Sequence, residues 1–142
     1  NWKNLDFIII DMPPGTGDTQ LTFSQEIKID GAIIVSTPQE VALLDVKRGI
    51  KMFDKLGVKI LGLIDNMSYF IGDDNKKYKI FGEGGVRKTS EEFNKEFFGE
   101  IPINSDIGKT SDNGKPIVEE DPNSEISKIY INFANKIKST YL

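Results

Sequence analysis

The 142-residue sequence contains no cysteine and no histidine. Without thiols, neither a disulfide nor a thiolate metal site can form within the chain. No apolar run approaches the roughly 20 residues that span a bilayer, and nothing resembles a signal peptide; the expectation is a soluble, cytoplasmic protein with no membrane partner. A large basic excess is also missing. Eighteen Lys and Arg stand against 22 Asp and Glu, a net charge of -4 with no dense basic run, which argues against nucleic acid or an anionic membrane as the main partner. The length suits a single domain over residues 1–142, with enough mass to bury a core. The sequence opens on Asn1 instead of methionine and reaches its presumed central strand four residues later. The expectation is that the chain was cut from something longer.

What is present is organised around Phe7-Ile8-Ile9-Ile10-Asp11-Met12-Pro13-Pro14-Gly15-Thr16-Gly17-Asp18. Four consecutive large apolar residues ended by turn formers predict a strand buried on both faces, as in a parallel sheet between helix layers. Asp11 then falls at the carboxyl end of that strand. In open α/β sheets ligands bind beyond the carboxyl ends of strands, so a carboxylate there suits a metal or a phosphate-bound cation. Pro13 and Pro14 hold Met12 and the following loop extended. Gly15 and Gly17 let backbone N–H groups approach phosphate oxygens, and a helix starting near Asp18 or Thr19 aims its positive end the same way. Asp18 also reads simply as that helix's cap.

Further along, Leu21, Phe23 and Ile27 mark a short helix, and Ala32-Ile33-Ile34-Val35 repeats the buried-strand signature. Thr37-Pro38-Gln39-Glu40 has the form of a capping box, with Thr37 as cap and Pro38 in the first helical position. Val41, Leu44, Ile50 and Phe53 continue at helical spacing to Leu56, where Gly57 is a natural left-handed terminator. Val58 to Ile64 reads as a third strand. Gly72 to Lys77 is a polar turn between aromatic flanks, predicting a protruding hairpin over Tyr69–Ile71 and Tyr78–Ile80. A helix over about 84–95 follows, then a short strand from Phe97 to Ile101 closed by Pro102. Ile107 to Asp112 reads as a brief helix and Gly114-Lys115-Pro116 as a turn. The last helix begins near Ser124 with Ile126, Ile129, Tyr130, Phe133 and Ile137 on one face, a stripe suited to lying on the sheet. Strands alternating with amphipathic helices predict a three-layer, mostly parallel, doubly wound α/β sheet.

Gly82-Glu83-Gly84-Gly85-Val86-Arg87-Lys88-Thr89 is a near miss to the phosphate loop G-x-x-x-x-G-K-[ST]. Arg87 stands where the last glycine belongs, and its side chain would crowd the amides that must wrap the phosphates. A Gly-rich lead into a helix is the better reading.

The Asp11 stretch resembles the Walker B and switch II segment of the deviant P-loop ATPases, MinD/ParA-like, and specifically of the Mrp/ApbC iron–sulfur cluster carriers. Thr37-Pro38-Gln39-Glu40-Val41-Ala42-Leu43-Leu44-Asp45, Asn66-Met67-Ser68-Tyr69, Ile80-Phe81-Gly82-Glu83-Gly84-Gly85 and Gly99-Glu100-Ile101-Pro102 follow that family's pattern in order. The resemblance implies that Asp11 is the catalytic carboxylate, holding Mg²⁺ through a bound water, and that the backbone at Pro14 and Gly15 faces the terminal phosphate. It implies that Asn66 reads the adenine edge, against the plainer reading of a strand-ending turn, and that Pro102 walls the base pocket, against the plainer reading of an ordinary exit from the sheet. ATP and Mg are the implied cofactors, a homodimer the implied assembly, and iron–sulfur recipient apoproteins the implied partners.

In the resembled family the phosphate loop precedes the Asp11 strand, so the chain corresponds to the C-terminal portion of a P-loop ATPase domain whose N-terminal βαβ portion is missing, and alone should not hydrolyse ATP. Many members place C-x-x-C in the hairpin after the Asn-Met-Ser block; here those positions are Gly72 and Asn75. The chain therefore supplies no iron–sulfur ligands, since clusters need thiolate or imidazole donors. The function expected is an ATP-binding iron–sulfur cluster carrier that hydrolyses ATP in its full-length form. The alternative is a non-catalytic, nucleotide-gated regulator or scaffold, which the missing cysteines favour. A partition-type ATPase fits the acidic balance and the Met-Ser-Tyr block less well.

Overall fold

The computed structural model describes residues 3–13 and 17–142. In chain order the elements are α1 (Asp18–Glu26), β1 (Ala32–Ser36), α2 (Glu40–Leu56), β2 (Ile60–Ile71), β3 (Lys77–Tyr78), α3 (Gly85–Glu92), β4 (Phe97–Ile103), α4 (Ser105–Asp112), α5 (Ile117–Glu120) and α6 (Glu125–Tyr141). β2 pairs in parallel with β1 on one side and β4 on the other, and its far end turns back on β3 as an antiparallel hairpin.

Each face of this sheet carries its own apolar cluster. On one, Val46 and Ile50 of α2 and Val86 of α3 close over Ile60 and Leu63, with Leu43, Phe53 and Phe97 at the margin. On the other, Phe133 of α6 closes over Ile64, Phe98 and Ile101, flanked by Ile129, Tyr130 and Ile137. Side chains of a strand point alternately to the two faces, so Leu63 and Ile64 feed different clusters. The three-layer, mostly parallel α/β sheet expected from the sequence is thus the observed architecture. α2 ends where the sequence places its stop: Gly57 is left-handed at φ 71°. Ser124 caps α6, its hydroxyl accepting from the Ser127 N–H at 3.1 Å.

Several boundaries depart from expectation. Phe7 to Ile10 forms no strand and is not buried: Ile9 is 79% exposed and Ile8 53%. An apolar run becomes a central strand only with a strand on each side, and β1, β2 and β4 pair among themselves; Phe7 instead meets the Tyr141 ring edge-on, centroids 6.5 Å apart. The capping box does not form. Gln39, extended at ψ 136°, is the N-cap of α2 without a side-chain bond, and Leu43 N–H donates to its carbonyl at 3.0 Å. Gly17, not Asp18, caps α1; Asp18 lies in the first turn, where its charge complements the helix dipole. β2 runs on to Ile71, past the predicted end at Ile64. β4 passes through Pro102 to Ile103, which a strand bonded on one edge tolerates because its other N–H groups need no partner. The Gly82 near miss follows no strand and leads into α3, with Gly82 and Gly84 at φ 111° and 66°.

Gly62 marks the tightest point of the second cluster. A Cβ there would lie inside contact distance of the Phe98 ring, which is buried and packs against Phe133 with centroids 6.3 Å apart. Close packing leaves no slack for the extra methyl. Gly62→Ala is expected to lower unfolding free energy by about 2 kcal/mol or more, read as a lower denaturant midpoint at unchanged m-value.

Candidate functional site at the carboxyl edge of the sheet

Parallel pairing brings the carboxyl ends of β1, β2 and β4 to one edge. In register, Ser36 of β1 faces Asp65 of β2, and Asp65 faces Glu100 of β4; Asn66 faces Ile101, so Asn66 and Pro102 are neighbours across β2 and β4. Asn66 is held in an unusual local conformation. Met67, next to it, has φ 53°, a left-handed value that a non-glycine residue adopts at a cost of order 1 kcal/mol. The Met67 N–H donates to Asn66 Oδ1 at 3.0 Å, and the ladder to β4 is interrupted between Asn66 and Phe70. That bond fixes which end of the amide faces inward, so the –NH₂ is the end left to a ligand.

Of the remaining sequence-predicted residues, only Asp11 is among those described. Asp11 follows the unpaired Phe7–Ile10 segment and is exposed. Pro14 and Gly15 lie outside the described residues. The loop is tied back to α1 just before them, where the buried Gln20 amide donates to the Pro13 carbonyl.

A residue the motifs passed over dominates the electrostatics. Asp65 has no exposed surface, and neither carboxylate oxygen has a hydrogen-bond partner among the described residues. Burial, reinforced by repulsion from Glu100, pushes its pKa up to about 6, while Lys79 and Arg87 act in the opposite direction. Arg87 stacks on the Phe97 ring with Cζ 4.1 Å from its centroid. Lys79 is bonded to Glu83 at 2.9 Å, and the same pairing raises the Lys79 pKa and lowers that of Glu83. The available signal in the sequence was a single acid closing an otherwise apolar strand.

No group of three or more Asp, Glu, His or Cys that could hold a metal occurs among the described residues. The hairpin turn offers only oxygen donors, and one is already committed. The Asp74 carboxylate accepts from the Lys76 N–H at 3.1 Å and the Tyr78 hydroxyl at 2.9 Å, bonds that hold its pKa below the usual carboxylate range. The donor set of the chain therefore does not fit an iron–sulfur cluster.

The buried carboxyl gives a signed pH dependence. With a folded pKa of about 6 against 3.8 for the ordinary group, the folded chain binds more protons than the unfolded one between those values. The stabilising effect of protonated Asp65 is complete below about pH 4 and is lost as pH rises through 6, up to roughly 3 kcal/mol. Chemical denaturation of wild type and Asp65→Asn at pH 4, 5, 6 and 7 checks this: the difference between the two should grow with pH in the variant's favour and then level off.

The family described as "ParA: NUBPL iron-transfer P-loop NTPase" matches residues 1–138. An "Iron-sulfur cluster carrier protein" of Aquifex aeolicus is 45% identical over 134 residues, covering 94% of this chain and 37% of that protein. An "Iron-sulfur protein required for NADH dehydrogenase, mitochondrial" of Arabidopsis thaliana is 48% identical over 138 residues, covering 96% and 44%. The chain thus spans well under half the length of these relatives. Among solved structures, a nucleotide-binding protein of Archaeoglobus fulgidus in complex with ADP superposes with a TM-score of 0.74 at 39% identity, over 88% of this chain and 51% of that one. The cell-division ATPase MinD of Pyrococcus furiosus, at TM-score 0.60 and 21% identity over 78% of this chain and 43% of that one, shares the fold. No helix among the described residues is long and apolar enough to cross a membrane. With its sheet order, its Asn66–Pro102 edge and a match over nearly its whole length, the chain belongs to the NUBPL/ParA iron-transfer family of P-loop NTPases.

Proposed function

We propose that the chain supplies the base-side half of the nucleotide site in an ATP-binding iron–sulfur cluster carrier. The observation that carries this reading is the register of β2 with β4, which sets Asn66 beside Pro102 at the carboxyl edge, where ligands of open α/β sheets bind. The ADP complex of the Archaeoglobus fulgidus relative supports nucleotide binding, and the names of the curated relatives support an iron–sulfur role, with recipient apoproteins as the partners. Asn66 presents its amide –NH₂ to the base and Pro102 an apolar wall. Asp11 would hold a divalent cation through a bound water, and the backbone at Pro14 and Gly15 would face the terminal phosphate. Mg²⁺ suits this role, because it keeps several waters and needs few protein ligands. Hydrolysis belongs to a full-length protein that also carries a phosphate loop, acting as a homodimer in the cytoplasm.

A second reading, a nucleotide-gated scaffold that holds no cluster, is favoured by one observation: the chain has neither cysteine nor histidine. Two measurements separate the possibilities. In the full-length protein, Asp11→Ala should reduce ATP turnover by about 100-fold or more with nucleotide affinity changed much less, as expected for a group that organises metal-bound water; wild-type turnover would sink the assignment. Anaerobic reconstitution of the 142-residue chain with iron and sulfide should leave no stable charge-transfer absorption after gel filtration. If the full-length protein then retains a cluster, carriage uses donors outside this chain, and if it retains none, the scaffold reading stands.

A further inference from the structure

Gln20 bonds to the chain on both sides of the loop that follows Asp11. It is buried, its side-chain amide donates to the Pro13 carbonyl, and its backbone N–H donates to the Gly17 carbonyl at 3.1 Å. The Pro13 bond settles which end of the amide is which, because the opposite orientation would set one acceptor against another. The other amide atom, Gln20 Oε1, is buried with no hydrogen-bond partner among the described residues. A half-satisfied amide is a poor choice for packing, since an apolar side chain of similar size would fill the space without an orphaned acceptor. Nor does Pro13 need the bond for its own sake: it is exposed, with water at hand for its carbonyl. What the bond supplies is position.

Asp11 depends on that position. The segment before it, Phe7 to Ile10, forms no strand, so no ladder of backbone bonds fixes where it ends; its described aromatic contact is that of Phe7 with Tyr141, four residues upstream of Asp11. On the other side Pro13 is only two residues away. Its ring fixes φ at residue 13, and Met12, which precedes a proline, is held extended. These two residues form a stiff arm of about 7 Å at most between the anchored carbonyl and Asp11. Because the same Gln20 is bonded through its backbone to Gly17, the N-cap of α1, the arm is tied to the start of that helix. We propose that Gln20 is a positioning residue, which by holding the Pro13 carbonyl fixes the place and direction of the Asp11 carboxylate. The inference rests on the reading of Asp11 given above, as the carboxylate that holds a divalent cation through water. The property required of Gln20 is donation from Nε2, which size and burial alone do not provide.

The test uses Gln20→Glu, which keeps the size of the side chain and changes the donor: an ionised carboxylate cannot donate to the Pro13 carbonyl, whereas a protonated one can. In the full-length protein, ATP turnover of Gln20→Glu relative to wild type should fall by about 10-fold at pH 8 with KM changed by less than about twofold. The ratio should recover as pH is lowered to 6, because burial favours the protonated carboxyl. Gln20→Leu, of similar size and with no donor, should stay low at every pH. In the Asp11→Ala background, Gln20→Glu should cause no further loss. Independently of turnover, NMR of the 142-residue chain without nucleotide or metal should show the Gln20 side-chain amide protons exchanging more slowly than those of the exposed Gln25. Gln20 protons that exchange as fast as those of Gln25 overturn the proposal, as does a Gln20→Glu turnover ratio independent of pH or a further loss in the Asp11→Ala background. Wild-type turnover in Asp11→Ala overturns the catalytic reading and this inference with it. An impaired Asp11→Ala beside a Gln20→Glu that matches wild type at every pH overturns this inference alone.

Discussion

Parallel pairing of β2 on both of its edges is the constraint on which the rest of the molecule depends. Parallel strands cannot be joined by a tight turn, so each connection must return along the sheet through a helix or a longer excursion. α2 makes the first return and the hairpin with α3 the second. Both rest on the same face, and α6 covers the other. One geometric consequence outweighs the others. All three strands end at the same edge, where ligands of open α/β sheets bind.

That edge explains why a sheet can keep an acid in its centre. Asp65 follows Leu63 and Ile64, which already fill the two clusters, so its side chain adds nothing to the apolar packing. It lies one step from Asn66, where Met67 takes a left-handed turn and the ladder to β4 is interrupted. Strand regularity has ended at this point, and the segment carrying Lys79 and the helix carrying Arg87 both act on the carboxyl. Removing the carboxylate from water dominates over the attraction of both cations, which is why its proton is held up to about pH 6 and not released early as in an exposed ion pair. Surface pairs such as Lys47–Glu92 at 2.6 Å and Lys95–Asp54 at 2.7 Å tie α2 to α3 and its following turn, but with water around them each contributes at most about 1 kcal/mol.

Much of this fold was legible in the sequence, and the exceptions share a cause. β1, the stop of α2 at Gly57, the hairpin and the Ser124 cap of α6 are set by local chemistry: an apolar run, a left-handed glycine, a polar turn, a hydroxyl before a helix. The misreadings occur where a neighbour decides. Phe7–Ile10 has the composition of a central strand, yet composition states only that the run would gain from sheet neighbours, not that they are there. Thr37 and Glu40 have capping-box spacing, but the extended conformation at Gln39 moves the helix start beyond the reach of Thr37. β2 outran its predicted end because Met67 bends the strand without breaking it. In the candidate site, Asn66 and Pro102 were named by motif and are neighbours in register, Asp11 was named by motif and is exposed after an unpaired segment, and Asp65 was passed over because no motif contains it. Its importance arises from Glu100, Lys79 and Arg87, at distances in sequence that no local pattern spans.

The hairpin holds its form through bonds made within its own turn. Phe70 pairs with Tyr78 and Ile71 with Lys77, and Gly72 N–H donates to the Lys76 carbonyl at 3.0 Å to close the turn. Asp74 then completes it from within, accepting from the Lys76 N–H and the Tyr78 hydroxyl and pairing with Lys76 Nζ at 3.2 Å. Lys77 lies 4.1 Å from the centroid of the Tyr69 ring. The Asp74 carboxylate is thus spent on the turn itself. A metal ion would have to displace three bonds to reach the Asp74 carboxylate, and the turn offers no soft donor. The turn is held by carboxylate and amide bonds and needs no ligand to keep its form.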